Sequence, residues 1–493
     1  MPDSPSFREL AIEAALIRSS ASVLGWDQET YLPTHAQTWR ARQLSWLSGR
    51  HHELTTSEDW KLALQQAIEA ADSPREQDSL NEALRQLQRS TRLPTSLVER
   101  ESEVTSLAKH AWASARERSD FPAFAPEFEK ILQISREKAD LWGYENEPYD
   151  ALLETYERGA SAASIAAIFD AVEPELVKIA KAACAHTSTT RPSLPPGPYP
   201  VEAQQRFNRK VAAALGFDFD GGRIDTTTHP FCTTLGPNDV RLTTRYDEAD
   251  FTSSLFGVMH EVGHGLYEQG LEPDDFGTPA GSAVSLGIHE SQSRLWENHI
   301  GRSRAFWSHW LPVAAEHFPQ LGKIGLDDFL AAIHRSEFSY IRVEADEATY
   351  DLHIILRFKI ERALVNGELA VSEVPTAWNE AFHSSFGLTP PDDRRGCLQD
   401  IHWSMGGLGY FPTYSLGNFN AAQIYASATR DKGIRDAIEN ADYRPLLEWL
   451  QCRIHQPGST LNPAALVEHA TGKAPGVEDH LAHLRQRYVE RTT

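Results

Sequence analysis

A mainly α-helical protein carrying one small β element is predicted by three features of the sequence. Apolar residues recur at helical spacing through most of the chain. Strict alternation of apolar and polar residues occurs in one short stretch near the middle. Stretches rich in Pro and Gly interrupt the helical pattern at only a few places.

Residues 7–180 read as successive amphipathic helices. Phe7, Leu10, Ala14 and Ile17 share one helical face, and Phe128, Ile131, Leu132 and Ile134 repeat the pattern beyond Pro126. Ala163 to Val177 has the same spacing, with a predicted end near Pro174. Trp26, Trp39, Trp46, Trp112 and Trp142 are assigned to helix–helix packing. The run from Thr187 to Pro200 suits neither a helix nor a central strand. It is read as the connector between two helical lobes of a single domain spanning residues 1–493.

The alternating stretch is Asp239 to Tyr246. Val240, Leu242 and Tyr246 point to one face, and Arg241, Thr243 and Arg245 to the other. His229-Pro-Phe231 and Gly236-Pro-Asn238 predict a neighbouring strand and its turn. Beyond Phe251 the helical pattern resumes, with Ile341–Leu364 as one long helix. Pro390 to Gly417 is expected to be an ordered loop, being too apolar for disorder.

Composition narrows the function. Asp and Glu number 69 against 47 Lys and Arg, a net charge of −22. Such a surface repels phosphate backbones and anionic lipid, so nucleic acid and membrane are not expected partners. No apolar run approaches membrane-spanning length, and no apolar segment follows a basic start at the N-terminus. The four cysteines, Cys184, Cys232, Cys397 and Cys452, form no closely spaced pair. Free buried thiols in the cytoplasm are expected.

The chemistry concentrates at His260-Glu-Val-Gly-His264, an H-E-x-x-H pattern. Residues four apart share a helical face, so two imidazoles converge on one ion. Glu261 lies about 100° round the helix, within reach of the water that such an ion activates. Leu255, Met259, Val262 and Leu266 form the apolar stripe of the host helix, with Asp250 as N-cap and Gly270 as stop. A catalytic zinc site takes three protein ligands and keeps one position open. Glu290 supplies the third ligand from a second helix, Ser282 to Trp296, which turns back after the Pro/Gly-containing stretch Leu271–Gly281. A buried carboxylate there needs a partner, which a metal provides. His289 points elsewhere and is read as an outer-sphere or packing residue. Residues 229–300 thus form the predicted metal-binding core. In the resulting chemistry Glu261 is the general base and the metal polarises the scissile carbonyl. No G-x-S-x-G, P-loop or G-x-G-x-x-G pattern supports another chemistry. A non-catalytic scaffold is disfavoured, because structural zinc is normally closed by four ligands and only three are visible.

Further ordered motifs accompany this centre: Val23-Leu-Gly-Trp-Asp-Gln-Glu-Thr30, His229-Pro-Phe231, Asp239 with Arg241 and Thr243, and His289-Glu-Ser-Gln292. Ile341-Arg-Val-Glu-Ala-Asp-Glu347, Leu398-Gln-Asp-Ile-His-Trp403 and Gly409-Tyr-Phe-Pro-Thr-Tyr-Ser-Leu-Gly417 continue the series. With these motifs the chain resembles the carboxypeptidase Taq family of metallocarboxypeptidases over most of its length. Tyr31-Leu-Pro33 departs from the family's commoner Met-Pro, which touches no site residue. The resemblance implies a helical saddle like those of neurolysin and angiotensin-converting enzyme, with a deep active-site cleft lined by a small antiparallel sheet. It implies removal of single C-terminal residues of broad identity, sparing proline. One divalent ion per chain, zinc or cobalt, and a homodimer are also implied.

On the substrate side, a free α-carboxylate is best held by an Arg fork, and Arg241 and Arg342 are the candidates. The strand at 239–246 is a possible edge for an extended peptide. Tyr410 and Tyr414, in a stiff Gly/Pro loop, are candidate donors to an oxyanion. The same zinc centre also suits an oligoendopeptidase or a dipeptidyl carboxypeptidase.

Overall fold

The computed structural model describes residues 5–190, 192–227 and 230–491, so His229 of the His-Pro-Phe element lies outside the described residues. The chain forms two compact units, neither of them contiguous in sequence. The first comprises Met1–Ser90, Ser193–Ile333 and Asn420–Pro475; the second comprises Thr91–Pro192, His334–Phe419 and Gly476–Thr493. One passage between units does fall inside the predicted connector, but the chain also passes at four other places.

The first unit opens with helix α1 (Phe7–Thr30), started by a reciprocal cap between Ser6 and Glu9. Phe7, Leu10 and Ala14 are buried against Trp60, Leu64 and Leu80 of the following helices. Trp26 is buried as expected, but Trp39 and Trp46 on the Gln37–Thr55 helix are 64% and 66% exposed and pack no core.

In the second unit, α2 (Ala162–Thr190) runs straight through Pro174, past the predicted stop and into the predicted connector. Its buried stripe of Ile165, Phe169, Val172, Leu176, Ile179 and Ala183 continues unbroken on both sides of the proline. Burial of that stripe outweighs the backbone hydrogen bond that the proline removes.

Back in the first unit, α3 (Val201–Leu215) leads into a three-stranded sheet of order β1-β3-β2, where β1 is Gly222–Thr226, β2 Cys232–Gly236 and β3 Asp239–Thr244. The sheet is mixed, not antiparallel throughout. β2 and β3 form the predicted hairpin, turned at Asn238 with its φ of 59°. β1, which sequence reading missed, takes the opposite edge of β3 and runs parallel to it. Gly222 allows this approach, since a Cβ there would lie 2.5 Å from the Val240 carbonyl oxygen. β3 is therefore the central strand and offers no free edge to a peptide, contrary to expectation. Val240 and Leu242 are buried in the unit's main core, as their alternation predicted.

Two helices follow. Helix α4 (Phe251–Gly270) has the predicted cap, Asp250, accepting from the Thr252 N–H, and its stripe of Leu255, Met259, Val262 and Leu266 is buried. Helix α5 (Leu286–Arg294) is capped by Ser285 and continues as a wide π-type turn over Leu295–Ile300. It thus starts and ends later than the predicted 282–296. Contacts along the pair run in opposite order: His260 to Glu297, His264 to His289, and Tyr267 to Val284. The helices are therefore antiparallel. They touch through backbone at Gly263, where a Cβ would lie 2.5 Å from the Gln292 carbonyl oxygen and from Ser293 Cα.

The second unit resumes with α6 (Tyr350–Val365), nine residues later than the predicted start at Ile341. The delay has a local cause. Asp346 Oδ1 accepts from the Ala348 N–H, a turn that competes with helix, and a short 3₁₀ turn at Arg342–Glu344 precedes it. Helix α7 (Pro412–Ala428) begins inside the segment expected to be loop and spans the boundary between the two units. All four cysteines are free, but only Cys397 is fully buried and Cys452 is exposed.

One ionic cluster organises the interior of the second unit. Asp400 receives Arg342 at 2.9 Å and Arg357 at 2.5 Å, and Gln399 Oε1 accepts from Arg357 at 2.7 Å. Burial alone would raise the Asp400 carboxyl, but the Arg342 and Arg357 guanidiniums hold it far below the usual carboxylate range.

Two outcomes are expected. Gly263→Ala should cost about 1–3 kcal/mol in denaturant unfolding, because the new methyl meets backbone that cannot move aside. The Asp400 shift is downward. Its contribution is therefore complete above the unfolded value of about 3.9 and is lost as pH falls below it toward the folded value. Asp400→Asn should cost about 3–5 kcal/mol near neutral pH and flatten that acid limb, read from unfolding midpoints across pH.

Candidate metal centre

The four-residue spacing on α4 puts His260 and His264 side by side, with ring centroids 4.9 Å apart. The Gly263 contact brings α5 near enough for Glu290 to reach both. Glu290 Oε2 lies 3.5 Å from His260 Nε2 and 3.5 Å from His264 Nε2. One ligand atom from each of the three residues falls within 4.8 Å of the others. Ligands about 2.0–2.1 Å from a tetrahedral ion sit about 3.4 Å apart, so this spacing fits a zinc-sized cation.

Hydrogen bonds settle which nitrogen of each ring faces the ion position. His260 Nδ1 is 3.0 Å from Glu297 Oε2, leaving Nε2 turned toward Glu290. His264 Nδ1 is 2.5 Å from His289 Nδ1, whose Nε2 is 2.8 Å from Glu268 Oε1. Thr234 of β2 donates to the other Glu268 oxygen at 2.6 Å. If His264 Nε2 is a ligand, its proton sits on Nδ1 and is donated to His289, and the His289 proton is donated onward to Glu268. Both imidazoles are thus held by groups behind them, the usual support of a metal site.

Glu261 is buried beside the triad, and its Oε2 has no hydrogen-bond partner among the described residues. Burial pushes its carboxyl up to about 7, against the opposing pull of His260. A buried carboxyl oxygen without a partner, next to three convergent ligand atoms, is suited to hold and transfer a proton. Glu290 behaves oppositely: burial would raise it, but Arg294 and His260 keep it well below the carboxylate norm. It is thus ionised, as a ligand must be.

The remaining candidates fall into two groups. Arg241, on β3 in the first unit, is paired at 2.9 Å with Asp239 and stacks over Trp26 at 4.5 Å. Arg342, Tyr410 and Tyr414 gather in the second unit around His402. Tyr414 Oη is 3.3 Å from His402 Nε2, Tyr410 packs on both rings, and the Arg342 guanidinium lies over the Tyr414 ring at 4.9 Å. Sequence reading missed Glu268, Arg294, Glu297, Arg357 and Asp400. Helical spacing carried a signal for the first three: Glu268 follows His264 by four residues, and Arg294 and Glu297 follow Glu290 by four and seven.

Comparison with known proteins shows the family. The family model for carboxypeptidase Taq (M32) metallopeptidases matches residues 6–488. Thermostable carboxypeptidase 1 of Thermus thermophilus is 39% identical, the alignment covering 98% of this chain and 97% of the relative. The crystal structure of an M32 carboxypeptidase from Deinococcus radiodurans superposes with a TM-score of 0.93 at 37% identity, covering 98% of each chain. A Pyrococcus furiosus carboxypeptidase structure gives 0.94 at 33% identity, covering 99% of each. Membership of a metallopeptidase family implies a divalent metal. Among the described residues, no helix is long and apolar enough to cross a membrane. The chain belongs to the carboxypeptidase Taq (M32) family and is a metallocarboxypeptidase, a peptide hydrolase.

Proposed function

We propose that this chain removes single residues of broad identity from peptide C-termini, with Glu261 as general base. The observation that carries the reading is the spacing of the His260, His264 and Glu290 ligand atoms beside a buried, unpartnered Glu261 oxygen. Two imidazoles and one carboxylate at that spacing suit zinc, with cobalt as a close substitute, one ion per chain. When bound there, the ion supplies Lewis acidity and a water made nucleophilic near neutral pH. Glu261 Oε2 takes a proton from the attacking water and hands it to the leaving amine. Burial of Glu261 keeps its proton affinity high enough for both transfers. Behind the two imidazoles, Glu297 and the His289–Glu268 pair fix ring orientation throughout.

For the substrate's free carboxylate we favour Arg342 over Arg241. Asp239 pairs with Arg241 one to one, whereas Asp400 is shared between Arg342 and Arg357, leaving one positive charge in excess within that group. Tyr410 and Tyr414, beside Arg342, are read as the phenol donors to substrate or oxyanion. We read residues 1–493 as one catalytic domain with 229–300 as its metal-binding core. A homodimer is the assembly that the family resemblance implies, and four unpaired cysteines accord with a reducing compartment such as the cytoplasm.

Glu261→Gln should keep one metal per chain by elemental analysis while kcat falls about 10²–10⁴-fold. Unaltered hydrolysis in that variant removes Glu261 from its role. Mass spectrometry of a digested peptide should show a ladder of single C-terminal losses. C-terminal amidation of the same peptide should lower kcat/KM about 10- to 100-fold, the worth of a charge-assisted contact. Internal fragments would indicate an oligoendopeptidase, and losses two residues at a time a dipeptidyl carboxypeptidase.

A further inference from the structure

Arg294 occupies an unusual place behind the candidate metal ligands. It lies on α5, four residues after Glu290 and three before Glu297, so one helical face carries all three. Its Nε donates to Glu290 Oε1 at 2.7 Å, and its Nη1 donates to Glu297 Oε2 at 3.3 Å. That same Glu297 oxygen is the partner of His260 Nδ1. One guanidinium therefore connects the candidate ligand from α5 with the support of a candidate ligand from α4. Arg302 holds the other Glu297 oxygen at 3.2 Å, and the Ser293 hydroxyl donates to Glu290 Oε2 at 3.0 Å. The side chains of Glu290, Glu297 and Arg294 are only 7%, 12% and 14% exposed, so solvent screens them little.

The arrangement separates the two oxygens of Glu290. Oε1 is committed to Arg294, while Oε2 faces both imidazoles at 3.5 Å. We infer that Arg294 is a positioning residue that presets the metal site, pinning Glu290 as a one-oxygen ligand and, through Glu297, fixing the His260 ring. The inference rests on the metal-centre reading above. Without Arg294, two buried carboxylates on one helical face lose the cation they share, and Glu290 is free to turn away from the imidazoles. The site must then be assembled at the moment of binding instead of standing ready.

The direction of the effect distinguishes this role from simple electrostatics. A cation so close to a ligand opposes the approach of a second cation, so a through-space role predicts tighter metal binding once Arg294 is neutralised. The positioning role predicts weaker binding, by about 10- to 100-fold, as is typical when an outer-sphere partner of a ligand is removed.

The test is competition titration of cobalt(II) and of zinc(II) into the chelator-stripped full-length chain. Wild type is compared with Arg294→Gln, Arg294→Lys and His264→Ala. Arg294→Gln should bind both ions 10- to 100-fold more weakly, with an altered visible spectrum of the cobalt form. Arg294→Lys keeps the charge but not the two-pronged fork. It should lose most of the same affinity, and it carries the test if Arg294→Gln shows no cooperative unfolding transition. Equal or tighter binding with an unchanged cobalt spectrum, in whichever variant folds, overturns the inference. If His264→Ala binds metal as well as wild type, the metal-centre reading itself fails, whatever the Arg294 variants do.

Discussion

The close approach of α4 and α5 at Gly263 is the constraint on which the candidate site depends. Two helices ordinarily pack 8–10 Å apart, with side chains between them. Here the backbone of Gln292 and Ser293 occupies the space a Cβ would fill, so the helices draw together. Glu290 can then reach both imidazoles with a short side chain. Gly263 lies inside the same five-residue pattern that supplies His260, Glu261 and His264. One stretch of chain thus encodes both candidate histidine donors and the clearance that lets the third candidate in.

Around that contact, ionisable groups are buried in opposed states. Glu290 and Glu297 are kept ionised by neighbouring guanidiniums, while Glu261 is raised by burial against the weaker pull of His260. The contrast arises from partners, since all three carboxylates share the same low-dielectric surroundings. Two of them are thereby suited to act as fixed charge and one to carry a proton, as the proposed function requires. The second unit uses a related device, a carboxylate shared between two guanidiniums, where Asp400 sets Arg342 and Arg357 in place.

What the sequence revealed follows from what is local. The helical class, the α4 cap, its buried stripe and the histidine pair all rest on spacings of a few residues, and all are present. The placement of Glu290 beside the histidine pair is legible because a zinc-type site calls for a third ligand and the intervening stretch has to turn. The failures involve competition between local and distant terms. Pro174 predicts a stop, but a long buried stripe carries α2 through it. Spacing predicts a helix start at Ile341, but the Asp346 turn and the pairing of Arg342 with a residue nearly sixty positions away hold that segment out of helix. β1 escaped because five residues alternate too briefly to stand out, and its pairing partner lies beyond the strand that follows it. The Arg294–Glu297 support was visible as spacing only, since nothing in sequence says which face of a helix looks at a metal.

The interleaving of the two units has a consequence for how the molecule is made. The core around α4 and α5 includes Ala421, Ile424, Leu446, Leu450, Ile454 and Leu466, all from the last stretch that enters the first unit. The second core likewise takes Leu484 and Tyr488 from the last stretch that enters the second unit. A growing chain on the ribosome therefore holds both histidines and Glu290 long before either interior can close. Neither interior is complete until those late stretches have been made, and until then the apolar surfaces they cover are open to chaperones and to aggregation alike.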